Sequence, residues 1–393
     1  MDQKRIQKLV LFMPPFSQYN VLHHFTKQMH AAFERAGIDC RLIEAKYNNP
    51  KPFLEELFKD KPDATFSFNG LLPDDKGNFF ADMVKIPHIA CLVDSPNRYL
   101  KLITSQYTIV TCPDHFGCEF FQGINFKKVL HLPHGVGKDE THPSDSVRPY
   151  DVVLLASCLD YENVLAGWRK QFSPALCEAM EEAVEVTLSD NHTPYVQAFV
   201  SAVDRQLSKG APIDTAALNY PTIFEAIEDY LRAKDRIELV KSIKNAKVDI
   251  FGEGTPTANW KKVLGDQKNV TIHKGVDFMK AMEIMKQSKI LINCNPVFKE
   301  GADERIFTGI SLGALVITND NSFIRKHFED KKSIVLYKFG DWKDFNDKID
   351  YYLAHEKERQ AIVNKGKDIV AKHHTWDNRA HTLLKELPAF LQT

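Results

Sequence analysis

The stretch KILINCNPVFKEGADERIFTGISLGALVIT, residues 289–318, decides how this chain folds. Its two ends, KILINC and ALVIT, are short apolar runs rich in β-branched residues, typical of buried strands. Between them Ile306, Phe307 and Ile310 recur at i, i+1 and i+4, the spacing of one helix face. Gly313 follows where a helix commonly ends in a left-handed residue. The stretch therefore predicts strand, helix, glycine and strand, a unit of a parallel sheet covered by helices.

The same stretch contains Gly309-Ile310-Ser311-Leu312-Gly313, which matches the G-x-S-x-G pattern of serine hydrolases. In those enzymes the serine lies on a turn that leads from a strand into a helix. Here the predicted order is reversed, because the helix precedes the motif and the strand follows it. We therefore reject Ser311 as a nucleophile and expect it to pack at a helix end.

Strands alternate with helices outward from this stretch in both directions. Before residue 140 the predicted strands are KLVLFM, DCRLIEA, ATFSFNG, PHIACLV, YTIVTCP and KVLHLPHG; after residue 150 they are DVVLLASC, KVDIFGEG, NVTIHKG, KILINCN, ALVIT and SIVLYK. This alternation predicts an α/β protein with two doubly wound, Rossmann-like domains. We expect an N-terminal domain at 1–140, a polar linker at 141–150, a second domain at 151–375 with a helical insertion at about 162–245, and a C-terminal helix at 376–393 that crosses back to the first domain.

Composition narrows the class of protein. The 393 residues are 44% hydrophobic and 26% charged, with a formal net charge of −1, which is typical of an ordinary globular protein and gives no case for a nucleic-acid partner. The seven cysteines are scattered without a Cys-x-x-Cys, so we expect reduced thiols in a cytoplasmic protein. No segment is long enough to span a bilayer. The adjacent pairs His23-His24 and His373-His374 cannot readily chelate one ion, so no metal site is predicted.

Glycines follow one strand of the second domain. Gly252, Glu253 and Gly254 come directly after KVDIF, where glycine lets the backbone approach a ligand closely. The third glycine of a dinucleotide fingerprint is absent, since Thr257 occupies its place. A ligand-binding loop and a simple tight turn are equally good interpretations of these residues.

The loop before the central helix is the stronger candidate for a binding site. Glu300, Gly301 and Ala302 are predicted at the helix N-terminus, where free amides and the helix dipole favour phosphate. Arg305 lies in the first turns, and its rigid fork could clamp an anion. The alternative is that Arg305 pairs with neighbouring carboxylates on a solvated face.

These residues carry a resemblance to a known family. The stretch 289–318 resembles the donor-binding segment of GT-B fold nucleotide-sugar glycosyltransferases, and more narrowly their CgeB-type (spore maturation protein-like) branch. In that family a glutamate is followed by seven residues and a second glutamate, which holds the donor ribose. Glu300 fits the first position, whereas Thr308 stands at the second. The resemblance extends to YDVVLLASC, to DRIELVKSIKNAKVDIFGEG and to HTWDNRAHTLL near the C-terminus.

The resemblance implies further donor contacts and a mechanism. Lys274 is a second candidate for the donor diphosphate, although an exposed loop lysine explains it as well. The backbone of Gly275 and Val276 would receive the nucleobase. The chain has no Asp-x-Asp, the triplet that metal-dependent GT-A glycosyltransferases need. A GT-B enzyme neutralises the leaving diphosphate with helix N-termini and basic side chains, so we expect no metal and no further cofactor.

The N-terminal domain is expected to hold the acceptor and the catalytic base. Asp94 follows an apolar strand, and a similar Asp-x-Pro loop occurs in CgeB-type relatives; a turn or N-cap aspartate is the alternative. His134, and the pair Asp114-His115, hold equivalent positions after other strands.

The function these expectations favour is transfer of a sugar from a nucleoside diphosphate sugar, UDP-sugars first, at a cleft between the two domains. The acceptor would be a hydroxyl or similar group on a glycan, a lipid-linked glycan or a protein, as in bacterial surface or protein glycosylation. Two alternatives stay open: a GT-B protein that binds sugar nucleotides or carbohydrate without turnover, and a GT-B nucleotide-sugar epimerase.

Overall fold

The computed structural model describes residues 6–44, 50–143, 145–252, 254–256 and 258–391. The chain divides into two compact units: Met1–Glu140 together with Val370–Thr393, and Thr141–Ile369. Residues 141–150, predicted as a linker, are thus part of the second unit, and the C-terminal stretch is part of the first. None of the helices in the described ranges combines the length and apolar composition that crossing a bilayer requires.

Each unit is built on a six-stranded parallel sheet. The strands of the first unit are β1 (Lys8–Met13), β2 (Asp39–Glu44), β3 (Ala64–Phe68), β4 (His88–Cys91), β5 (Thr108–Cys112) and β6 (Val129–His131), in the order β2-β1-β3-β4-β5-β6. Those of the second unit are β7 (Tyr150–Leu155), β8 (Val248–Phe251), β9 (Val270–His273), β10 (Ser288–Ile292), β11 (Leu315–Asn319) and β12 (Val335–Tyr337), in the order β12-β11-β10-β7-β8-β9. Both orders are doubly wound, as the alternation of strands and helices predicts.

Helices cover both sheets. In chain order they are α1 (Val21–Arg35), α2 (Pro50–Lys59), α3 (Phe80–Val84), α4 (His115–Gly123), α5 (Tyr161–Gln171), α6 (Pro174–Ser189), α7 (Tyr195–Ser208), α8 (Tyr220–Ser242), α9 (Trp260–Leu264), α10 (Phe278–Lys286), α11 (Glu304–Ser311), α12 (Ser322–His327), α13 (Trp342–Ala354), α14 (Glu356–His373) and α15 (Trp376–Glu386). Short 3₁₀ segments occupy Gln18–Asn20, Pro96–Thr104, Thr215–Ala217 and Leu387–Ala389. The helices α5 to α8 form the insertion that the sequence predicts at about 162–245.

The C-terminal helix of the first unit packs on α1 and β3. The Trp376 ring lies 5.1 Å from that of Phe25 and 5.5 Å from that of Phe68. Two bonds of 2.7 Å from the Arg35 guanidinium to the Asp377 carboxylate close the edge of this contact. Buried aromatic rings in such tilted and edge-on contacts contribute beyond the area that they bury.

A buried arginine fastens the same helix to the loop after β6. The Arg379 guanidinium donates to the carbonyls of Pro133, His134 and His373 and contacts His374 Nδ1 at 2.9 Å. Burial lowers the pKa of Arg379 to about 10. These bonds satisfy carbonyl groups that would otherwise be buried without a partner.

Arg148 plays the corresponding part in the second unit. Its guanidinium donates to five backbone carbonyls, at 2.7 to 3.3 Å: those of Pro143, Met285, Lys286, Ser288 and Leu312. The carbonyls belong to the segment before β7, the end of α10, the start of β10 and the end of α11. Burial lowers the pKa of Arg148 to about 10. One side chain therefore joins four segments of the unit.

The G-x-S-x-G motif lies where α11 turns into β11, in the order that excludes a nucleophile elbow. Gly313 has φ +85°, and a Cβ there would lie 2.3 Å from the Arg148 guanidinium. A Cβ on Gly309 would lie 2.5 Å from the Leu291 side chain of β10. The carbonyl of Ser311 accepts a bond of 3.2 Å from the amide of His142. Packing explains both glycines, and the prediction of helix, glycine and strand is confirmed.

Replacing Arg148 tests its structural importance. We expect Arg148→Leu to lower the free energy of unfolding by about 3–5 kcal/mol, because it strips buried carbonyls of a charged donor. Arg169→Leu is the control: this arginine is 66% exposed and lies 3.7 Å from Glu181, so its loss should change stability by no more than about 0.5 kcal/mol. Urea denaturation measures both variants. Equal stability of the two variants would contradict the assignment.

Candidate functional site

The second sheet has its switch point between β7 and β10. The chain runs from β7 to β8 and β9 on one side and then returns to build β10, β11 and β12 on the other. In doubly wound sheets, ligands bind beyond the carboxyl ends of the strands at such a point. The residues after Leu155 and Ile292 therefore define the candidate site of this unit.

Two arginines from different helices meet at the end of β7. Arg305 of α11 donates through Nη1 to the carbonyl of Leu155 at 2.7 Å. Arg236 of α8 donates through Nη1 to the carbonyl of Ser157 at 2.6 Å. Sequence reasoning found Arg305 but missed Arg236, because nothing in its local pattern distinguishes it from other charged residues on a long helix. Two guanidinium groups at a switch point form a setting suited to an anion.

The Arg305 side chain is also close to carboxylates of its own helix. Its nitrogens lie 3.6 Å from Glu304 and 3.9 Å from Asp303, beyond hydrogen-bond distance, and the side chain is 22% exposed. Burial disfavours the charged form, but the two carboxylates outweigh it, so the pKa of Arg305 is raised above its ordinary value. Both interpretations of this residue, anion clamp and local ion pair, are compatible with this geometry.

The glycines after β8 close a tight turn against the end of β7. Gly252 has φ +139°, and a Cβ there would lie 2.5 Å from the carbonyl group of Ala156. Gly254 has φ +97°, and a Cβ there would lie 2.2 Å from the carbonyl oxygen of Ala258. Glu253 lies outside the described residues. The turn is thus required by packing at the switch point, whatever it binds.

The loop after β10 differs from the sequence prediction in one respect. Helix α11 begins at Glu304 with Asp303 as its N-cap residue, so Glu300, Gly301 and Ala302 lie in the loop and not at the helix N-terminus. The physical reason is that bonds from Asn321 and Ser322 to the carbonyls of residues 298, 299 and 301 hold this backbone in a loop, with a turn at 296–297 and bends at 299–300. Asp303 is 93% buried and makes no capping bond to the helix amides; its Oδ1 accepts instead from Asn295 Nδ2 at 2.8 Å.

The other predicted donor residues are spread along the same sheet edge. Thr308 is only 2% exposed, inside the packed face of α11. Lys274 and Gly275 are exposed and Val276 is half-buried, in the loop that follows β9. Since β9 is separated from β7 by β8, this loop begins about 10 Å from the end of β7 along the sheet.

Asp94 in the first unit belongs to a small polar cluster at the carboxyl ends of β3 and β4. Its Oδ2 accepts bonds from Asn69 Nδ2 at 3.2 Å and from the Tyr99 hydroxyl at 3.3 Å. Asn69 Oδ1 in turn accepts from the amide of Val93 at 3.0 Å. Burial, and then the Asp94 charge, raise the pKa of Tyr99. The carboxylate is held by two neutral donors and is half-buried.

The other candidate bases lie in different surroundings. His134 is 4% exposed, its ring lies 6.1 Å from that of Phe25, and its Nδ1 has no hydrogen-bond partner among the described residues. Asp114 is the N-cap of α4 and accepts a bond of 2.9 Å from the amide of Phe116. His115 has a side chain that is 54% exposed and lies 3.6 Å from Glu119. The structure thus gives Asp114 a capping contact, and His134 a place against an aromatic ring.

Comparison with known proteins shows which families and structures this chain is similar to. Residues 225–385 match the family model described as "Glycosyl transferase-like". No curated protein sequence matches the chain. The fold is similar to that of sucrose-phosphate synthase from Thermosynechococcus elongatus, at 11% identity and a TM-score of 0.55 over 98% of this chain and 99% of that one. It is also similar to a glycosyltransferase from Rickettsia africae, at 12% identity and a TM-score of 0.55 over 99% of each chain.

A third similar structure contains a ligand. It is the Anabaena protein Alr3699/HepE in complex with UDP-glucose, at 10% identity and a TM-score of 0.54 over 97% of this chain and 99% of that one. These likenesses show that the chain has the GT-B fold, as predicted. The family match covers residues 225–385, less than half of the 393 residues, and shows that this part of the second unit is similar to glycosyl transferases.

Proposed function

We propose that this enzyme transfers a sugar from a nucleoside diphosphate sugar, a UDP-sugar in the first instance, to a hydroxyl or similar group of a glycan, lipid-linked glycan or protein. We place it in the CgeB-type branch, as a cytoplasmic enzyme of bacterial surface or protein glycosylation. The observation that carries the proposal is the convergence of Arg236 and Arg305 on the carboxyl end of β7.

The two arginines suit the diphosphate of the donor. Each guanidinium uses Nη1 to bond a fixed backbone carbonyl, so its position is set before a ligand arrives. The Arg305 nitrogens lie 3.6 Å from Glu304 and 3.9 Å from Asp303, so a phosphate would compete with two ion pairs and not with hydrogen bonds. A fork of this kind bonds phosphate in two places and stabilises the charge that develops on the leaving diphosphate. Such a site works without a metal ion.

Asp94 is the proposed general base for the acceptor. Its carboxylate is oriented by bonds from two neutral donors, Asn69 and Tyr99. A carboxylate held in this way can take the proton of an acceptor hydroxyl as the glycosidic bond forms.

One observation supports a second candidate, a protein that binds sugar nucleotides without turnover. Thr308 stands where the family has its second glutamate, and it is buried inside α11. A hydroxyl in that place does not supply the charged ribose contact that the resemblance implies. Binding without transfer or hydrolysis would favour this candidate.

A donor screen tests the proposed function and its independence of metal. The protein is incubated with radiolabelled UDP-, GDP-, dTDP- and CMP-sugars, with excess EDTA in half of the samples. We expect transfer or slow hydrolysis of one donor, at a rate that EDTA leaves unchanged, because basic side chains neutralise the leaving group. Activity that EDTA abolishes and Mn²⁺ restores would contradict the metal-free mechanism.

Arg305→Ala tests the diphosphate contact. We expect its affinity for donor and for the free nucleoside diphosphate to fall about ten- to a hundredfold, since a charged hydrogen bond contributes roughly 1.5–3 kcal/mol. Calorimetry measures the dissociation constant, and Arg169→Ala on the exposed face of α5 is the control. Unchanged affinity in a folded Arg305→Ala variant would remove this residue from the site.

Asp94→Asn tests the base. We expect turnover to fall by about 10²–10⁴ while donor affinity stays nearly the same, because the substitution removes proton transfer only. Asp114→Asn is the matched control, since asparagine caps a helix as well as aspartate does. The ratio of kcat to wild-type kcat is compared for the two variants. Equal activity of both would exclude Asp94.

A further inference from the structure

A carboxylate is buried inside the second unit, next to Arg236 in the chain. Asp235 of α8 has none of its surface exposed. Its oxygens accept a bond of 3.0 Å from Asn319 Nδ2 and bonds of 3.2 and 3.4 Å from the Tyr337 hydroxyl. Both donors are neutral. Burying a charged carboxylate costs free energy, so we ask which groups Asp235 holds in place.

Asp235 is the first member of a hydrogen-bonded relay. Asn319, at the end of β11, donates its Nδ2 to Asp235 and accepts at Oδ1 from the amide of Asn295 at 2.7 Å. Asn295, in the loop after β10, then donates its Nδ2 to Asp303 Oδ1 at 2.8 Å. Asp303 is the N-cap residue of α11, two residues from Arg305. The relay thus links the insertion helix α8 to the start of the helix that carries Arg305.

A second contact joins the insertion to the same loop. Lys299 is 5% exposed, and its Nζ donates to the carbonyls of Thr187 at 2.6 Å and Asp190 at 2.8 Å. These carbonyls are at the end of α6, where an ammonium group satisfies orphan acceptors and complements the helix dipole. The loop between β10 and α11 is therefore held by α8 through Asn295 and Asp303, and by α6 through Lys299.

The space between these groups is too small for a substrate. The cavity lined by Thr187, Asn295, Lys299, Asn319 and Tyr337, among others, has a volume of about 10 Å³. Ligand pockets are typically hundreds of cubic ångströms. The cluster is a packed polar junction between the insertion and the loop, and its effect on a ligand must be exerted through the position of that loop.

We propose that Asp235 is a positioning residue for donor binding: through Asn319, Asn295 and Asp303 it fixes the loop at 293–303, which we call the donor loop, and with it the start of α11. The helical insertion then holds the donor loop in place. This inference rests on the proposed function for its ligand, a nucleoside diphosphate, and on the hydrogen bonds from Asp235 to Asp303 for its mechanism.

A pH dependence follows from the burial of Asp235. Burial raises the pKa of this carboxyl from 3.8 to about 6, against the bonds from Asn319 and Tyr337 and the charges of Lys299 and Arg236, which lower it. The buried thiol of Cys294 also faces it. Below about pH 6 the Asp235 carboxyl is protonated, and its hydrogen faces Asn319 Nδ2 and the Tyr337 hydroxyl, which are also donors. The bond from Asn319 therefore weakens, and nucleotide affinity falls.

Asp235 changes the stability of the protein with pH in the opposite direction from nucleotide affinity. Between pH 4 and about pH 6 the native protein holds a proton on Asp235 that the unfolded chain has lost, so this group makes stability fall as pH rises through that window. A merely structural role would therefore make the protein more stable at acid pH, and would not weaken nucleotide binding there.

Asp235→Asn tests the inference with two measurements. Calorimetric binding of UDP, GDP and ADP is measured between pH 5 and 8, and hydrogen exchange is measured over residues 293–304 without ligand. We expect about tenfold weaker binding at pH 7.5, as for other substitutions along a coupling network. We also expect faster exchange in the donor loop, and a variant whose affinity no longer falls towards pH 5 as that of the native protein does.

Two further variants keep the test decisive. Tyr195→Phe removes a bond of 2.7 Å to Glu228, another buried carboxylate of α8 that lies outside the relay, and should keep nucleotide affinity within about twofold. Asn295→Ala cuts the relay at a half-exposed position, and replaces Asp235→Asn if that variant fails to fold. Unchanged affinity and unchanged exchange in the relay variants would overturn the inference. Absence of nucleotide binding by the native protein would overturn the proposed function, while the exchange measurement would still decide whether Asp235 fixes the loop.

Discussion

The second unit depends on one guanidinium group more than on any other polar contact described above. Arg148 joins the ends of α10 and α11, the start of β10 and the segment before β7 through five backbone carbonyls. Carbonyls at helix ends lack partners within the helix, and burying them unpaired would cost about 1–3 kcal/mol each. The arginine satisfies several of them at one point. It also explains Gly313, because no side chain fits between the turn and the guanidinium.

The first unit uses the same device at a different place. Arg379 bonds the carbonyls of Pro133 and His134 and so fixes the last helix to the loop after β6. Arginine suits this task, because its planar fork presents five donors and stays charged even when burial lowers its pKa. In each unit a buried arginine, Arg379 or Arg148, bonds the backbone of loops that lie beside the parallel sheet.

Side chains from the helical insertion hold the candidate donor site in place. Arg236 and Asp235 both come from α8, and Lys299 is held by α6, so two helices of the insertion contribute to the switch point. The acidic start of α11 argues against a phosphate held by that helix terminus alone. Guanidinium groups then become the main source of positive charge, which is why the proposed mechanism rests on Arg236 and Arg305.

Local sequence patterns determined the two parallel sheets, the helical insertion and the turn at Gly313, because strand and helix periodicities are set by neighbouring residues. The same patterns singled out Arg305 and the loop at 300–302. One further signal was available: Asp235 follows Ile227 and Leu231 at intervals of four, which puts a carboxylate on the buried stripe of α8. Only the tertiary structure decided where α11 begins, that Arg148 and Arg379 are buried, and that Arg236, Asp235 and Lys299 reach the switch point. Pro143, His373 and His374 lie five or six residues from the arginines that they contact. The other partners lie between 79 and 246 residues away along the chain, and hydrogen bonds over such separations follow from how elements pack, which no local pattern encodes.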